Sequence, residues 1–341
     1  MLERELWVDY AKAIGIILVV YGHVERGVFA SGITYGEQAH YLLDSFIYSF
    51  HMPLFFFLSG LFYISSLKKR DVNGVILNKA QTIFYPYIVW SLLQGLIEVA
   101  LSSYSNNHTT LAQVLALLWA PRAQFWFLYA LFLMTLLGIA MYKNLAPRFY
   151  LAIFLISAIL YSLKGFFFEF NGDLFYFPAV KHVVFNFVFF SFGIFFQYKK
   201  SFFVRYNKVI FPLATLVFIA FQWYFHFVLG ETFLTKHDWL GLTLALVSIV
   251  FVSSLSMILS NYRINWLAIL GASSMTIYLM HVLVASGVRV LLQKFLQVDD
   301  IYIHLISGSV IGIFLPLLVM NITKQKLNFL FFPPSWLYFK K

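Results

Sequence analysis

Trp7-Val8-Asp9-Tyr10-Ala11-Lys12-Ala13-Ile14-Gly15-Ile16-Ile17-Leu18-Val19-Val20-Tyr21-Gly22-His23 decides the fold class. Between Lys12 and His23 stand ten residues without an Asp, Glu, Lys, Arg or His. The stretch is apolar on every side, as in a helix surrounded by lipid or other helices rather than by water. Moving outward, nine more apolar segments follow, at 42–66, 81–103, 125–142, 149–164, 182–198, 209–228, 241–259, 267–290 and 303–322; the first segment covers 7–26. Leu111 to Ala120 is apolar but too short to span, and reads as an interfacial or re-entrant helix. Composition agrees. Of 341 residues, 61% are hydrophobic and 11% charged, against about 45–50% and 25% in soluble domains. This excludes a soluble enzyme, a disordered chain and a coiled coil. The expectation is an all-α polytopic membrane protein of ten transmembrane helices, a single integral-membrane domain over 1–341.

Lys and Arg set the orientation. With ten spans, one side holds the N-terminus, 67–80, 143–148, 199–208, 260–266 and the C-terminus. It carries 16 of the 24 basic residues; the other side carries seven, and Lys12 lies in the first span. The richer side is expected to be cytoplasmic, with both termini there. The net charge of +10 therefore marks a membrane face in contact with lipid, not a nucleic-acid partner. Glu3, Glu5, Asp9 and Lys12 interrupt the N-terminus, so no cleavable signal is expected. There is no cysteine, which removes thiolate chemistry. The aromatic share of 21% is read in part as belts at the two interfaces.

Ionisable groups inside a membrane are expensive, so they point to function. Lys12 and His23 are 11 residues apart, which places them about 20° from a common helix face and roughly 16 Å apart along the axis. Asp9 lies one turn before Lys12 and can pair with it. The structural alternative leaves Asp9 and Lys12 in the headgroups and His23 as a packed polar residue. None of the nine histidines falls in a cytoplasmic loop. His40, His108 and His237 lie in outer loops; His23, His51, His182, His226, His281 and His304 lie in the outer parts of spans. Imidazoles gathered at one depth suit proton transfer, although interface tolerance explains most of them. His51 and His281 stand out, the former because Pro53 should kink the second helix beside it. Glu98, Arg122 and Trp126 mark the outer ends of the third and fourth spans. Lys79 opens the third helix at the cytoplasmic face. No Gly-rich phosphate loop, nucleophile elbow or metal-ligand set is present.

Leu6 to Ile16, running on to Tyr21-Gly22-His23, resembles the opening of the acyltransferase-3 family, whose signature is Arg or Lys, ten residues, then His. Lys12 and His23 match it, with Asp9 three residues before the basic position. Phe50-His51-Met52-Pro53-Leu54-Phe55-Phe56-Phe57-Leu58-Ser59-Gly60 resembles the second helix of the fucose O-acetylase-like branch. Lys79 with Tyr85-Pro86-Tyr87, Phe125-Trp126-Phe127-Leu128 and Ser274-Met275-Thr276-Ile277-Tyr278-Leu279-Met280-His281 extend the likeness along nearly the whole chain.

The resemblance implies ten transmembrane helices in a bacterial inner membrane. It also implies O-acetylation of an extracytoplasmic glycan or glycolipid, with acetyl-CoA as donor and no metal. Lys12, helped by Lys79, would hold the donor's phosphates and His23 would serve acyl transfer, with Asp9 as partner. His51, Glu98, Arg122, Trp126 and His281 are candidates for the acceptor or acyl-transfer site. The family has Arg more often than Lys at the basic position; Lys meets a phosphate as a point charge, not bidentately. An extended pantetheine arm is comparable in length to the Lys12–His23 separation. His23 then acts as general base on an acceptor hydroxyl, or carries the acyl group itself. The rival reading is a transporter or flippase, for which paired, Gly/Pro-broken half-repeats would be expected and are not found.

Overall fold

In a computed structural model, the structure describes residues 5–102, 109–166, 177–178, 180–232, 238–323 and 328–334. The expectations placed on His108 and His237 lie outside these residues. Helices dominate: α1 Leu6–Phe29, α2 Glu37–Tyr48, α3 His51–Leu61, α4 Tyr63–Lys79, α5 Tyr85–Ala100, α6 Leu111–Leu115, α7 Trp126–Tyr142 and α8 Tyr150–Ser162 come first. They are followed by α9 Phe187–Tyr198, α10 Lys200–Arg205, α11 Asn207–Trp223, α12 Trp239–Leu259, α13 Asn265–Ala272, α14 Ser274–Val290 and α15 Ile301–Thr323. Among the described residues nine helical runs are long and apolar enough to cross a membrane, as a polytopic all-α protein requires. The expected span at 149–164 is the shorter apolar helix Pro147–Ser162; its 16 residues rise about 24 Å, short of a hydrocarbon core of about 30 Å.

Three boundaries differ from the sequence reading. The expected loop 67–80 is helix. Asp71 breaks it at φ 61°, and its Oδ1 accepts the Gly74 N–H at 2.7 Å, capping a new turn. The chain then passes through a π-turn, Ala80–Phe84, into α5, with Pro86 in its first turn. Proline lacks the N–H that would bond the carbonyl four residues back and its ring crowds that carbonyl, so the turn widens. Lys79 therefore sits inside a helical run instead of opening one. The second span breaks at Ser49–Phe50, so Pro53 falls in the first turn of α3, where its missing N–H costs nothing. The ninth breaks at Ser273 into α13 and α14.

The chain divides into two compact units. The first comprises Met1–Val19, Tyr41–Lys69 and Met141–Ser274; the second comprises Val20–His40, Arg70–Ala140 and Met275–Lys341. In the first unit, α3 and α9 cross with backbones almost touching. A Cβ on Gly60 would fall 2.1 Å from the Phe190 carbonyl oxygen, and one on Gly193 2.1 Å from that of Phe57. Gly271 of α13 meets the Asp9 backbone of α1 as closely. Around these crossings Phe57 packs on Phe192 and Phe196, each at 5.2 Å between centroids, and Tyr63 on Phe190 at 5.0 Å. Another part of the aromatic excess is thus core. Lipid is as apolar as leucine, so helices in a membrane associate through close packing, which small residues and flat rings provide. The outward stripe of α11, Val209, Leu213, Leu216, Ile219 and Trp223, is exposed, as a lipid-facing surface must be.

In the second unit, Gly308 and Gly312 of α15 lie against Val24 and Val20 of α1. Backbone carbonyls freed by irregular turns find side-chain donors here. Tyr87 donates to the Leu117 carbonyl, Trp90 Nε1 to that of Leu330 at 2.8 Å, and Tyr85 to that of Phe329 at 2.7 Å. Unsatisfied groups of this kind would be costly away from water.

Candidate functional site

α1 carries Asp9 and Lys12 in the first unit and His23 in the second. Asp9 is buried, and Lys12 Nζ stands 3.9 Å from its Oδ1. His51 also belongs to the first unit. It opens α3, is 1% exposed, donates from Nδ1 to the Ile47 carbonyl at 2.7 Å and meets the Tyr48 ring edge-on at 4.5 Å. That bond places the Nδ1 hydrogen of His51 on a carbonyl in the last turn of α2. Lys79 falls in the second unit, at the end of α4 and half-buried.

The second unit brings most of the remaining candidates together. His23 lies 5.1 Å from His281 between ring centroids, at 61°. His281 is fully buried on α14. Its Nδ1 faces the carbonyls of Tyr278, 2.8 Å, and Ile277, 3.1 Å. Carbonyls only accept, so Nδ1 carries the hydrogen and the neutral ring keeps its lone pair on Nε2. That Nε2 is buried and has no hydrogen-bond partner among the described residues. Tyr278, next to it, donates to the Gln124 carbonyl and packs on Phe127 at 5.6 Å.

His23 lines a cavity of about 1360 Å³, together with Arg26, Gln94, Glu98, Arg122 and Arg289. This exceeds the roughly 300–1,000 Å³ of ordinary small-molecule sites and suits an extended substrate. Glu98 of α5 is paired with Arg122, and it also accepts from Gln94 Nε2 at 2.8 Å and from Thr109 at 3.2 Å. Gln124 donates to Gln94 at 2.7 Å. The network is built locally. Thr110 and Gln113 form a capping box on α6, and Ala123, at φ 47°, turns the chain sharply into α7 behind Arg122. Trp126 begins α7, half-buried. Among the described residues no group of three His, Cys, Asp or Glu is placed to hold a metal ion.

Three features were not singled out from sequence. Glu25, on α1, is 2% exposed; it accepts from Tyr35 at 2.5 Å and pairs with His40 Nδ1 at 2.6 Å, and His40 stacks on Phe29 at 3.6 Å. The cluster ties the turn after α1 back to the helix. The Gln94–Gln124 pair joins residues 30 apart in sequence, with no local pattern to reveal it. Arg289 was legible in principle. Tyr278, His281, Ala285 and Arg289 recur at helical spacing, and all four are buried.

Two relatives share part of the chain. A nodulation protein NolL of Mesorhizobium japonicum is 33% identical over 136 residues, 38% of this chain and 34% of the relative. A nodulation protein NolL of Sinorhizobium fredii is 29% identical over 132 residues, with the same shares. The likeness therefore spans about a third of those relatives' length. No solved structure matches. The family model described as an acyltransferase domain matches residues 5–323, and on that extent the chain belongs to the acyltransferase-3 family of membrane proteins.

Proposed function

We propose that the chain, acting as one domain over 1–341, is an O-acetyltransferase of a bacterial cytoplasmic membrane. In this reading it moves acetyl from cytoplasmic acetyl-CoA to a hydroxyl of an extracytoplasmic glycan or glycolipid. One observation carries the reading: His23, at the family's histidine position, lines a large cavity with a second imidazole behind it. Lys12, paired loosely with Asp9, meets the donor's phosphates near the cytoplasm, and Lys79 adds charge on that side. The thioester reaches His23 roughly 16 Å further along the helix. There His23 takes the proton of the acceptor hydroxyl as its oxygen attacks the thioester carbonyl, and CoA thiolate leaves. The proton on His23 then passes to the thiolate, so the ring returns to its starting state. His281 holds the His23 ring in place. The Glu98–Arg122 pair and Trp126 shape the acceptor side. The test is mass spectrometry of surface glycans from cells with and without the gene. Loss of O-acetyl groups from one polymer supports the reading; identical glycans together with loss of glycan export favour a transporter.

A further inference from the structure

The His23 cavity encloses an arginine, Arg289, that no described residue neutralises, and its lining is rich in guanidinium. Three guanidiniums, Arg26, Arg122 and Arg289, line it against one carboxylate, Glu98. Glu98 is committed to Arg122. Arg289 is 8% exposed, yet among the described residues its guanidinium has no carboxylate partner and no hydrogen-bond acceptor. Enclosing a guanidinium with nothing to neutralise it costs several kcal/mol. The opening beside it is where a neutralising group fits. Arg26 stands three residues beyond His23 on α1 and lines the same cavity. A neutral sugar would be met as well by amides and rings. A planar, always-charged fork with five donors suits a carboxylate or phosphate, which it binds through two parallel hydrogen bonds.

We propose that this cavity holds an oxyanion of the acceptor, a carboxylate or phosphate, on Arg289 with Arg26 beside it, so that the acceptor is an acidic glycan or a phosphate-linked glycolipid. The assignment to the acceptor rests on the acyltransferase reading. A donor with its phosphates at Lys12 cannot place them beside His23 as well, because the two positions are roughly 16 Å apart on one helix. The anion thereby anchors the acceptor near the imidazole that deprotonates its hydroxyl.

The experiment is calorimetry on the full-length, detergent-purified protein, with methyl glucuronide and inorganic pyrophosphate as anionic probes and methyl glucoside as the neutral one. Wild type should bind at least one anion more tightly than the glucoside, with or without saturating CoA. Arg289→Gln should weaken that binding about tenfold or more, and Arg289→Lys, which keeps the charge but not the fork, several-fold. Neither variant should change CoA affinity. If Arg289→Gln does not fold, the Lys variant and the glucoside comparison decide alone. Equal binding of glucoside and anions, or undiminished anion binding in a folded variant, overturns the proposal. Loss of CoA affinity in the same variant assigns the arginine to the donor and overturns it too. Acetyl-CoA turnover is measured on the same preparation. Anion binding without turnover counts against the acyltransferase reading alone, and turnover without anion binding against this proposal alone.

Discussion

Lys12 is the cation that the donor reading requires, and it stands 3.9 Å from Asp9 Oδ1. Lys12→Ala should weaken CoA binding about tenfold, the size of one lost charge-assisted hydrogen bond. Lys12→Arg should retain it, and Asp9→Ala should do less harm, since it removes only an orienting group. Calorimetry with CoA reads all three; an unchanged Lys12→Ala removes Lys12 from the donor site. In the proposed mechanism His281 acts through His23, 5.1 Å away between ring centroids, as a positioning residue. His281→Phe keeps an aromatic ring, one atom larger, in the buried slot and removes both nitrogens, of which Nε2 has no hydrogen-bond partner among the described residues. It should lower kcat with little change in KM or in thermal stability. A loss of stability equal to the loss of rate would make His281 structural instead. The 11-residue spacing of Lys12 and His23 was visible because both lie on one helix. The Gln94–Gln124 pair gains meaning only when folding joins its two members, Glu25 only when the following turn folds back on it, and Arg289 only from the cavity that it lines.

At the scale of elements, the close crossing of α3 and α9 fixes the first unit. A Cβ on Gly60 or Gly193 meets backbone, not a side chain that can turn away. Gly60→Ala or Gly193→Ala should therefore force the helices apart, at a cost of about 1–3 kcal/mol, and lower the melting temperature of the purified protein. Unchanged melting would mean that the crossing is looser than described. Helix identity was readable from apolar length, which is why Ile301–Thr323 and Trp239–Leu259 were found within a few residues. The break at Ser49–Phe50 falls beside Pro53, where a kink was expected; the one at Ser273 was not readable, because serine alone does not mark a helix end. The charged run Lys68-Lys69-Arg70 reads equally well as loop or as exposed helix, and only the Asp71 cap shows that the helix restarts.

For the whole molecule, the basic bias predicts that both termini face the cytoplasm. Reporter fusions after Arg70, Lys200 and Arg263 should read cytoplasmic, and one at Gly230 should read outside. One fusion of opposite sign would overturn the orientation, and with it the assignment of donor and acceptor to opposite faces. Membership of the family was legible because its motifs lie in order along the chain. The cavity was not, because its lining is drawn from α1, α5, α6 and α14, and its charge balance appears only when they are assembled.

The central claim is that His23 performs chemistry while donor binding lies elsewhere. The direct test measures acetyl transfer and CoA affinity together for wild type and His23→Ala. Removal of a general base costs typically 10²–10⁴-fold in rate. Acetyl transfer should therefore fall by at least about a hundredfold in His23→Ala, with CoA affinity within a few-fold of wild type. Normal acetyl transfer in a folded His23→Ala protein would contradict the account.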